Sequence, residues 1–297
     1  MIIISSLNEV VNKMKLQIES YEIPQNSYGS EVFLLHLKNG ENAYLIIPYN
    51  KDKLWREHDM LTLLQGNLPV PKILDFLPSE ADFNGALLLS ELPGKPATGK
   101  IDSTLAFEIG KYHALMHSHT SQHYGYRTEE GFQKLKNNDW RSYIKEKFVI
   151  ALEKSQPFLN IKQSDLAHQH FNQLFNSLPS PDGPCVVHFD FRLANLIIED
   201  HHISGIIDFE TSKFASTEID FVKMQQEVWN VFPSTKEGYI VGYESIRPMI
   251  ELELFQPFYT LYNAMASIGW CVDRGIEKHQ DFYHENIVIL NSFESIS

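Results

Sequence analysis

One stretch of the chain concentrates side chains able to do chemistry. It runs Val186-Val187-His188-Phe189-Asp190-Phe191-Arg192-Leu193-Ala194-Asn195-Leu196-Ile197-Ile198-Glu199 and continues, after Asp200-His201-His202, as Ile203-Ser204-Gly205-Ile206-Ile207-Asp208-Phe209-Glu210. Asp190 and Asn195 are five residues apart and Asp208 is thirteen further on. The apolar runs between them read as a strand, a turn and a returning strand. A hairpin of that length brings the chain back beside its start, so Asn195 and Asp208 face a common point. Two hard oxygen ligands converging there suit Mg²⁺, which fills the rest of its shell with water and phosphate oxygens. Asp190, on the loop before the hairpin, sits where a carboxylate could orient and deprotonate an attacking hydroxyl.

These residues need a scaffold, and the flanking sequence supplies one. Residues 7–18 read as a helix. Residues 27–48 alternate as strands, with Lys38-Asn39-Gly40-Glu41 as a hairpin turn. An amphipathic helix covers 52–64 and stops at Gly66-Asn67 and Pro69-Val70-Pro71, and strand-like runs follow at 73–77 and 86–89. Leu92-Pro93-Gly94-Lys95-Pro96 breaks the pattern, dividing a mixed segment, 1–93, from a mostly helical one, 94–297. Helices are expected at 101–117, 139–152, 164–178 and beyond 219, interrupted by one β island at 185–208. The fold class is α+β, two lobes with a cleft at their junction where ligands gather.

Composition narrows the partners. The chain has 297 residues, 43% of them hydrophobic, and 25 Lys+Arg against 38 Asp+Glu, a net charge of −13. Such a charge argues against nucleic acid and anionic membranes. Neither a basic, apolar leader nor a membrane-length apolar run is seen, so a cytoplasmic protein is expected. Cys185 and Cys271 read as buried thiols. Residues 185–297 hold 7 Lys+Arg and 17 Asp+Glu, 7 − 17 = −10, which favours a cationic acceptor near the metal loop. The pairs His113/His117 and His119/His123, each spaced i,i+4, could offer a metal two ligands, although packing is the ordinary role of such a pair.

The segment 188–210 resembles the aminoglycoside phosphotransferase and choline kinase-like family, small-molecule kinases of protein-kinase-like bilobal fold, and the order of elements extends the resemblance over nearly the whole chain. The resemblance implies that Asp190 is catalytic, that His188 buttresses its loop, and that Asn195 and Asp208 hold Mg²⁺ on ATP or GTP. It implies a nucleotide site from Ser27, Gly29, Ser30 and Val32 at the phosphate-covering turn, Ile47 on the following strand, Glu57 on the helix and Ser90, Glu91 and Leu92 at the hinge. Glu210, Glu227, Trp229, Trp270 and Asp273 are candidates for the acceptor, and Asp220 is expected to cap a helix and brace the loop. The family usually has Gly where this chain has Phe189, and Lys where it has Ile47. Lys51 and Lys53 lie just beyond, and one of them could reach in.

The protein-kinase set His-Arg-Asp, Asp-Phe-Gly and Ala-Pro-Glu is not met, so a small molecule is a better acceptor than a protein. The expected activity is Mg-dependent transfer of the nucleotide γ-phosphate to a small-molecule hydroxyl, of an aminoglycoside-like or other cationic compound. Choline, homoserine, a thiosugar or a macrolide are alternatives. A non-catalytic protein of this fold is a further reading, because Ile47 replaces the expected Lys.

Overall fold

The computed structural model describes residues 2–24 and 30–296, with side chains at 6–24 and 30–294. Its first elements are α1 (Ile2–Lys13), β1 (Ile18–Glu22), β2 (Ser30–Leu37), β3 (Asn42–Pro48), α2 (Lys51–Leu64), β4 (Ile73–Leu77) and β5 (Ala86–Ser90). The five strands form one antiparallel sheet in the order β1-β2-β3-β5-β4. The hairpin turn forms as expected: His36 pairs with Asn42, and Gly40 takes a φ of 85°, which its missing Cβ permits. The opening helix begins and ends five residues earlier than the expected 7–18, because Lys15 turns left-handed at φ 55° and Ile18 begins an edge strand.

The two-residue period of the strands sorts their side chains cleanly. Phe33, Leu35, Ala43, Leu45 and Ile47 join Leu7 and Val10 of α1 on one face. Tyr44, Ile46, Leu87 and Leu89 join Leu54, Met60, Leu61 and Leu64 of α2 on the other. Asn50 caps α2, its side-chain oxygen accepting from the Asp52 N–H at 2.8 Å.

The chain then passes through β6 (Lys95–Pro96) into α3 (Ser103–His117), the hairpin β7 (Gly125–Thr128) and β8 (Gly131–Lys134), α4 (Trp140–Ser155) and α5 (Ile161–Ser177). Next come β9 (Cys185–Val187), β10 (Leu196–Glu199), β11 (His202–Ile206) and β12 (Lys213–Ala215). The short α6 (Phe221–Lys223) continues as a π-helical turn over Met224–Trp229, followed by α7 (Lys236–Glu244), α8 (Leu252–Arg274) and α9 (Gln280–Ser292). The single expected β island is therefore two small sheets, β11-β10-β6 and β8-β7-β12-β9. Strands of two to five residues leave too little alternation to register in a sequence.

α8 packs on α4, α5 and α9 around Phe258, Tyr259 and Met265, forming the larger helical core. α3 and α7 cross closely, at two glycines: a methyl added to Gly110 would lie 2.0 Å from the Tyr239 carbonyl oxygen, and one on Gly242 2.0 Å from that of Phe107. The β7–β8 hairpin leans on α2. Arg127 pairs with Asp59 at 3.0 Å and Lys51 with Glu129 at 3.8 Å, the Glu129 N–H donates to Asp52 at 3.2 Å, and the Ser79 hydroxyl donates to Glu129 at 2.7 Å. Among the described residues no helix is long and apolar enough to cross a membrane.

Candidate functional site

The loop between β9 and β10 is held from beneath by one carboxylate. Asp220 is fully buried; its Oδ2 accepts the His188 backbone N–H at 2.7 Å and its Oδ1 that of Phe189 at 2.7 Å. Oδ2 also faces Nε2 of His117 at 3.3 Å and Nε2 of His113 at 3.5 Å. On their far sides both imidazoles meet hydroxyls, His113 Nδ1 that of Tyr239 and His117 Nδ1 that of Tyr243, the latter at 2.8 Å. These contacts are satisfied together when each Nε2–H donates to Asp220 and each Nδ1 accepts from a tyrosine. Both histidines are then neutral and neither keeps a lone pair for a metal, so the spacing that suggested a metal site serves a brace. Burial first, and the neighbouring imidazole second, push His113 down to about 3; burial lowers His117 as well. Burial alone would raise the Asp220 carboxyl, but the hydrogen bonds from the two histidines outweigh it and hold it below the usual carboxylate range.

Phe189 stands where a glycine would be conformationally free, and it adopts the left-handed region, φ 68°, held there by its bond to Asp220. That conformation strains a bulky residue by roughly 1–3 kcal/mol. Its ring is a wall of the site, beside Trp140 and 4.5 Å beneath the Lys213 ammonium. Lys213 also donates to the Tyr143 hydroxyl at 3.0 Å. Burial, then the Arg56 and Lys147 charges, push its amine down to about 7.

His188 is buried, and its tautomer is fixed by two bonds. Nε2–H donates to the Ile207 carbonyl at 3.0 Å, and Nδ1 accepts the Asp190 N–H at 3.3 Å. The expected buttress therefore ties the loop to the strand that leads into Asp208. The Asn195 amide donates from Nδ2 to the Asp190 carbonyl at 2.9 Å and to Asp190 Oδ2 at 3.2 Å. That orientation commits its nitrogen and leaves its oxygen for a cation. The hairpin closes through the Ile207 N–H on the Asn195 carbonyl at 3.0 Å, which sets Asp208 next to Asn195.

Asp208, left-handed at φ 69°, is open to solvent on one side and backed by the protein on the other. Desolvation by the protein around it, with the Glu210 charge next and that of Asp190 lesser, pushes it up to about 6. Glu57 of α2 comes in from above, 3% exposed, and is raised well above the usual range by burial and then by Asp208 and Glu210. Four carboxylates thus crowd one point. A divalent cation relieves that crowding, and the free Asn195 oxygen beside Asp208 is the hard donor set Mg²⁺ takes.

The other expected residues divide. Ser30, Val32, Tyr44 and Ile46 share the sheet face that looks toward Glu210, and the Ser30 hydroxyl donates to Glu210 at 3.0 Å. Ile47 faces the opposite way, 7% exposed in the α1 core, so the position corresponding to a cleft-side strand lysine is Ile46. The one-residue error matters because neighbouring strand residues point to opposite faces. Ser27 and Gly29 lie outside the described residues. Ser90 ends β5 with its hydroxyl accepting the Lys72 N–H at 3.0 Å, Glu91 accepts from Asn42 at 3.0 Å, and Leu92 packs on Gly205.

Among the acceptor candidates, Glu210 is engaged by Lys53 and Ser30. Trp229 is 2% exposed, its ring against Tyr239 in the core, and offers no face to a ligand. Trp270 packs with His279, Phe282 and Arg274, and Asp273 pairs with Lys154 at 2.6 Å, so both belong to the α4–α8–α9 surface rather than to the loop. Glu227 remains, half-buried in the π turn. The aromatic and basic wall of Tyr126, Tyr143, Phe189, Lys213 and Arg56 was not anticipated. Its members lie on four separate elements and the β9–β10 loop, and only the fold assembles them.

Residues 28–252 match the phosphotransferase enzyme family, APH. The chain belongs to that family. The phosphotransferase also has the protein-kinase-like fold of solved family members, an N-terminal sheet followed by a mostly helical part. A thermostable mutant of aminoglycoside phosphotransferase APH(4)-Ia, in ternary complex with AMP-PNP and hygromycin B, superposes with a TM-score of 0.72 at 15% identity, covering 96% of each chain. The GDP and kanamycin complex of APH(2")-IIIa gives 0.71 at 14%, covering 98% of each. Macrolide 2'-phosphotransferase MphH from Brachybacterium faecium, as apoenzyme, gives 0.65 at 14%, covering 96% of this chain and 98% of its own. No curated protein matches the chain by sequence.

Proposed function

We propose that this phosphotransferase moves the γ-phosphate of ATP or GTP to a hydroxyl of a small molecule in the cytoplasm, with residues 1–93 as the nucleotide lobe and 94–297 carrying the reaction. The observation that carries the reading is the triad of Asp190, Asn195 and Asp208 on one braced loop and hairpin. AMP-PNP and GDP in the solved family members support the nucleotide.

In this reading Asp190 takes the acceptor proton. Asn195 Nδ2 fixes its Oδ2 and so aims the remaining oxygen at the incoming hydroxyl. Asn195 Oδ1 and Asp208 hold Mg²⁺, which neutralises phosphate charge when bound. Asp220, His113 and His117 keep the loop from drifting. Ser90, Glu91 and Leu92 offer hinge backbone to the base, beneath Val32 and Tyr44. For the acceptor, hygromycin B and kanamycin in family members favour a hydroxylated amine. Of the carboxylates expected to receive it, Glu227 alone is left uncommitted, while Lys213 and Arg56 beside the loop admit a neutral or anionic group.

The test is nucleotide consumption with a panel of hydroxylated amines, macrolides and small metabolites. Asp190→Asn is expected to lower turnover by about 10²- to 10⁴-fold with unfolding unchanged within 0.5 kcal/mol, roughly the scatter for a solvent-reaching substitution. Equal turnover by variant and wild type with a productive acceptor would remove Asp190 from the reaction.

A further inference from the structure

A triphosphate entering this site meets Asp190, Asp208, Glu210 and Glu57, and needs cations besides a metal to balance it. The sheet offers none: the residues of β2 and β3 on the face toward Glu210 are Ser30, Val32, Leu34, His36, Asn42, Tyr44, Ile46 and Pro48, and the one basic side chain there, His36, pairs with Glu22 and Asn42 at the far end. Three Lys or Arg residues lie on α2. Lys51 turns outward to Glu129 and the Ala81 carbonyl. Arg56 belongs to the wall beside the loop, its guanidinium over the Tyr126 ring. Lys53 is the one of the three that pairs with a carboxylate of the site, its ammonium meeting Glu210 across the junction of sheet and helical part.

Two further observations give this pair a purpose. Glu57 is one helical turn beyond Lys53, on the same face of α2. It is 97% removed from solvent, and its Oε2 has no hydrogen-bond partner. A buried carboxylate oxygen left unpaired is a costly arrangement, and it marks a place that the Lys53 ammonium, a short reorientation away on a flexible stem, can fill. Glu210 meanwhile accepts from Ser30 through its other oxygen, so it stays anchored when the ammonium leaves.

We propose that Lys53, from the first turn of α2, is the phosphate-contacting cation of this site in place of a strand lysine, and that Glu210 holds its ammonium ready until the nucleotide phosphates take it over. The proposal rests on the phosphotransferase reading above. It makes Glu210 a positioning residue rather than an acceptor ligand, and it removes the need for any lysine at Ile46.

Isothermal titration of the full chain with Mg·ATP, Mg·GTP and adenosine tests it. Lys53→Met is expected to weaken binding of the preferred triphosphate about 10- to 100-fold, the range for one charge-assisted contact, with adenosine affinity unchanged. Lys53→Gln, which keeps a hydrogen bond to Glu210, is expected to show the same loss and guards against misfolding of the first variant. Lys53→Arg should recover part of the affinity, and Ile46→Lys in the Lys53→Met background should recover more. Triphosphate binding by Lys53→Met and Lys53→Gln as tight as wild type overturns the proposal, as does an equal loss for adenosine, which would make the role structural. Wild type that binds neither triphosphate sinks the phosphotransferase reading together with it.

Discussion

Replacing Asp220 by Asn removes one oxygen's worth of acceptor from the brace beneath the loop and changes little else in shape. In the native chain Oδ2 receives the His188 N–H at 2.7 Å and the two imidazoles at 3.3 and 3.5 Å, while Oδ1 receives the Phe189 N–H at 2.7 Å. An amide offers a single acceptor. Its best placement puts the oxygen toward the three donors and the NH₂ against the Phe189 N–H. One buried backbone donor is then orphaned, which costs about 1–3 kcal/mol, and the remaining bonds lose their charged partner, which costs about 1 kcal/mol more for the short one and less for the longer pair. The sum, roughly 3–5 kcal/mol, is a large part of the 5–15 kcal/mol that a folded domain has in hand. Phe189 would also be released from its left-handed conformation, so the loop should relax and turnover fall even where the chain stays folded. Urea unfolding at pH 7.5, followed by the fluorescence of buried Trp140 and Trp229, measures the first effect; nucleotide consumption below the transition measures the second. A loss under 1 kcal/mol would show that the brace is not ionised or not stressed, and the reasoning would fail.

Acid should weaken the fold through the same cluster. His113 stays neutral in the native state down to about 3, whereas the unfolded chain protonates it near 6.5, so its contribution is complete above pH 6.5 and is lost as pH falls, by about 2 kcal/mol at pH 5. His117 and Asp220, both lowered, act with the same sign, and burial-raised Glu57 and Glu218 with the opposite one. The clean comparison is therefore the pH 7 to pH 5 change of wild type against that of His113→Gln, and equal changes would contradict the neutral-histidine assignment. Gly242→Ala puts a methyl 2.0 Å from a backbone oxygen across the α3–α7 crossing; separation of two packed helices should cost about 1–3 kcal/mol or more in urea unfolding, and a neutral result would mean the helices part freely. Asn195→Ala should raise the Mg²⁺ concentration needed for nucleotide to shift the melting temperature by about tenfold, the effect of losing one ligand worth roughly 1.4 kcal/mol, and an unchanged Mg²⁺ titration would remove Asn195 from the metal set.

The fold was legible wherever an element was long enough to show a period. The Asn39-Gly40 hairpin, the amphipathic α2 and the helices from 103 onward announce themselves because turn chemistry and a single apolar face leave few other arrangements. The β7–β8 hairpin and β12 do not, since three or four residues carry no period and are strands only because neighbours pair with them. The site followed the same rule. Asp190, Asn195 and Asp208 sit on one continuous segment, so their spacing could be read directly. Ile47 was misassigned by one residue because a short apolar strand gives no sign of which face is which. Trp229, Trp270 and Asp273 were grouped by composition alone, and the structure scatters them between a core, a helix end and a surface pair. The partnership of Lys53 with Glu210 joins residues 157 apart, a relation that local pattern does not encode.

The hairpin that leans on α2 does so through charges at the surface rather than through buried apolar contact. Arg127 with Asp59 and Lys51 with Glu129 keep between about a quarter and two-fifths of their side chains in water. Such pairs are screened by salt, the Debye length falling from about 8 Å near physiological ionic strength to about 3 Å at 1 M. The helix that bears Lys53 and Glu57 is therefore tethered by a spring whose stiffness the solution sets. Where departure of spent nucleotide limits the cycle, salt becomes an accelerator of turnover up to the point at which α2 no longer returns to register, so the optimum ionic strength of the reaction is a reading of how tightly this clasp closes.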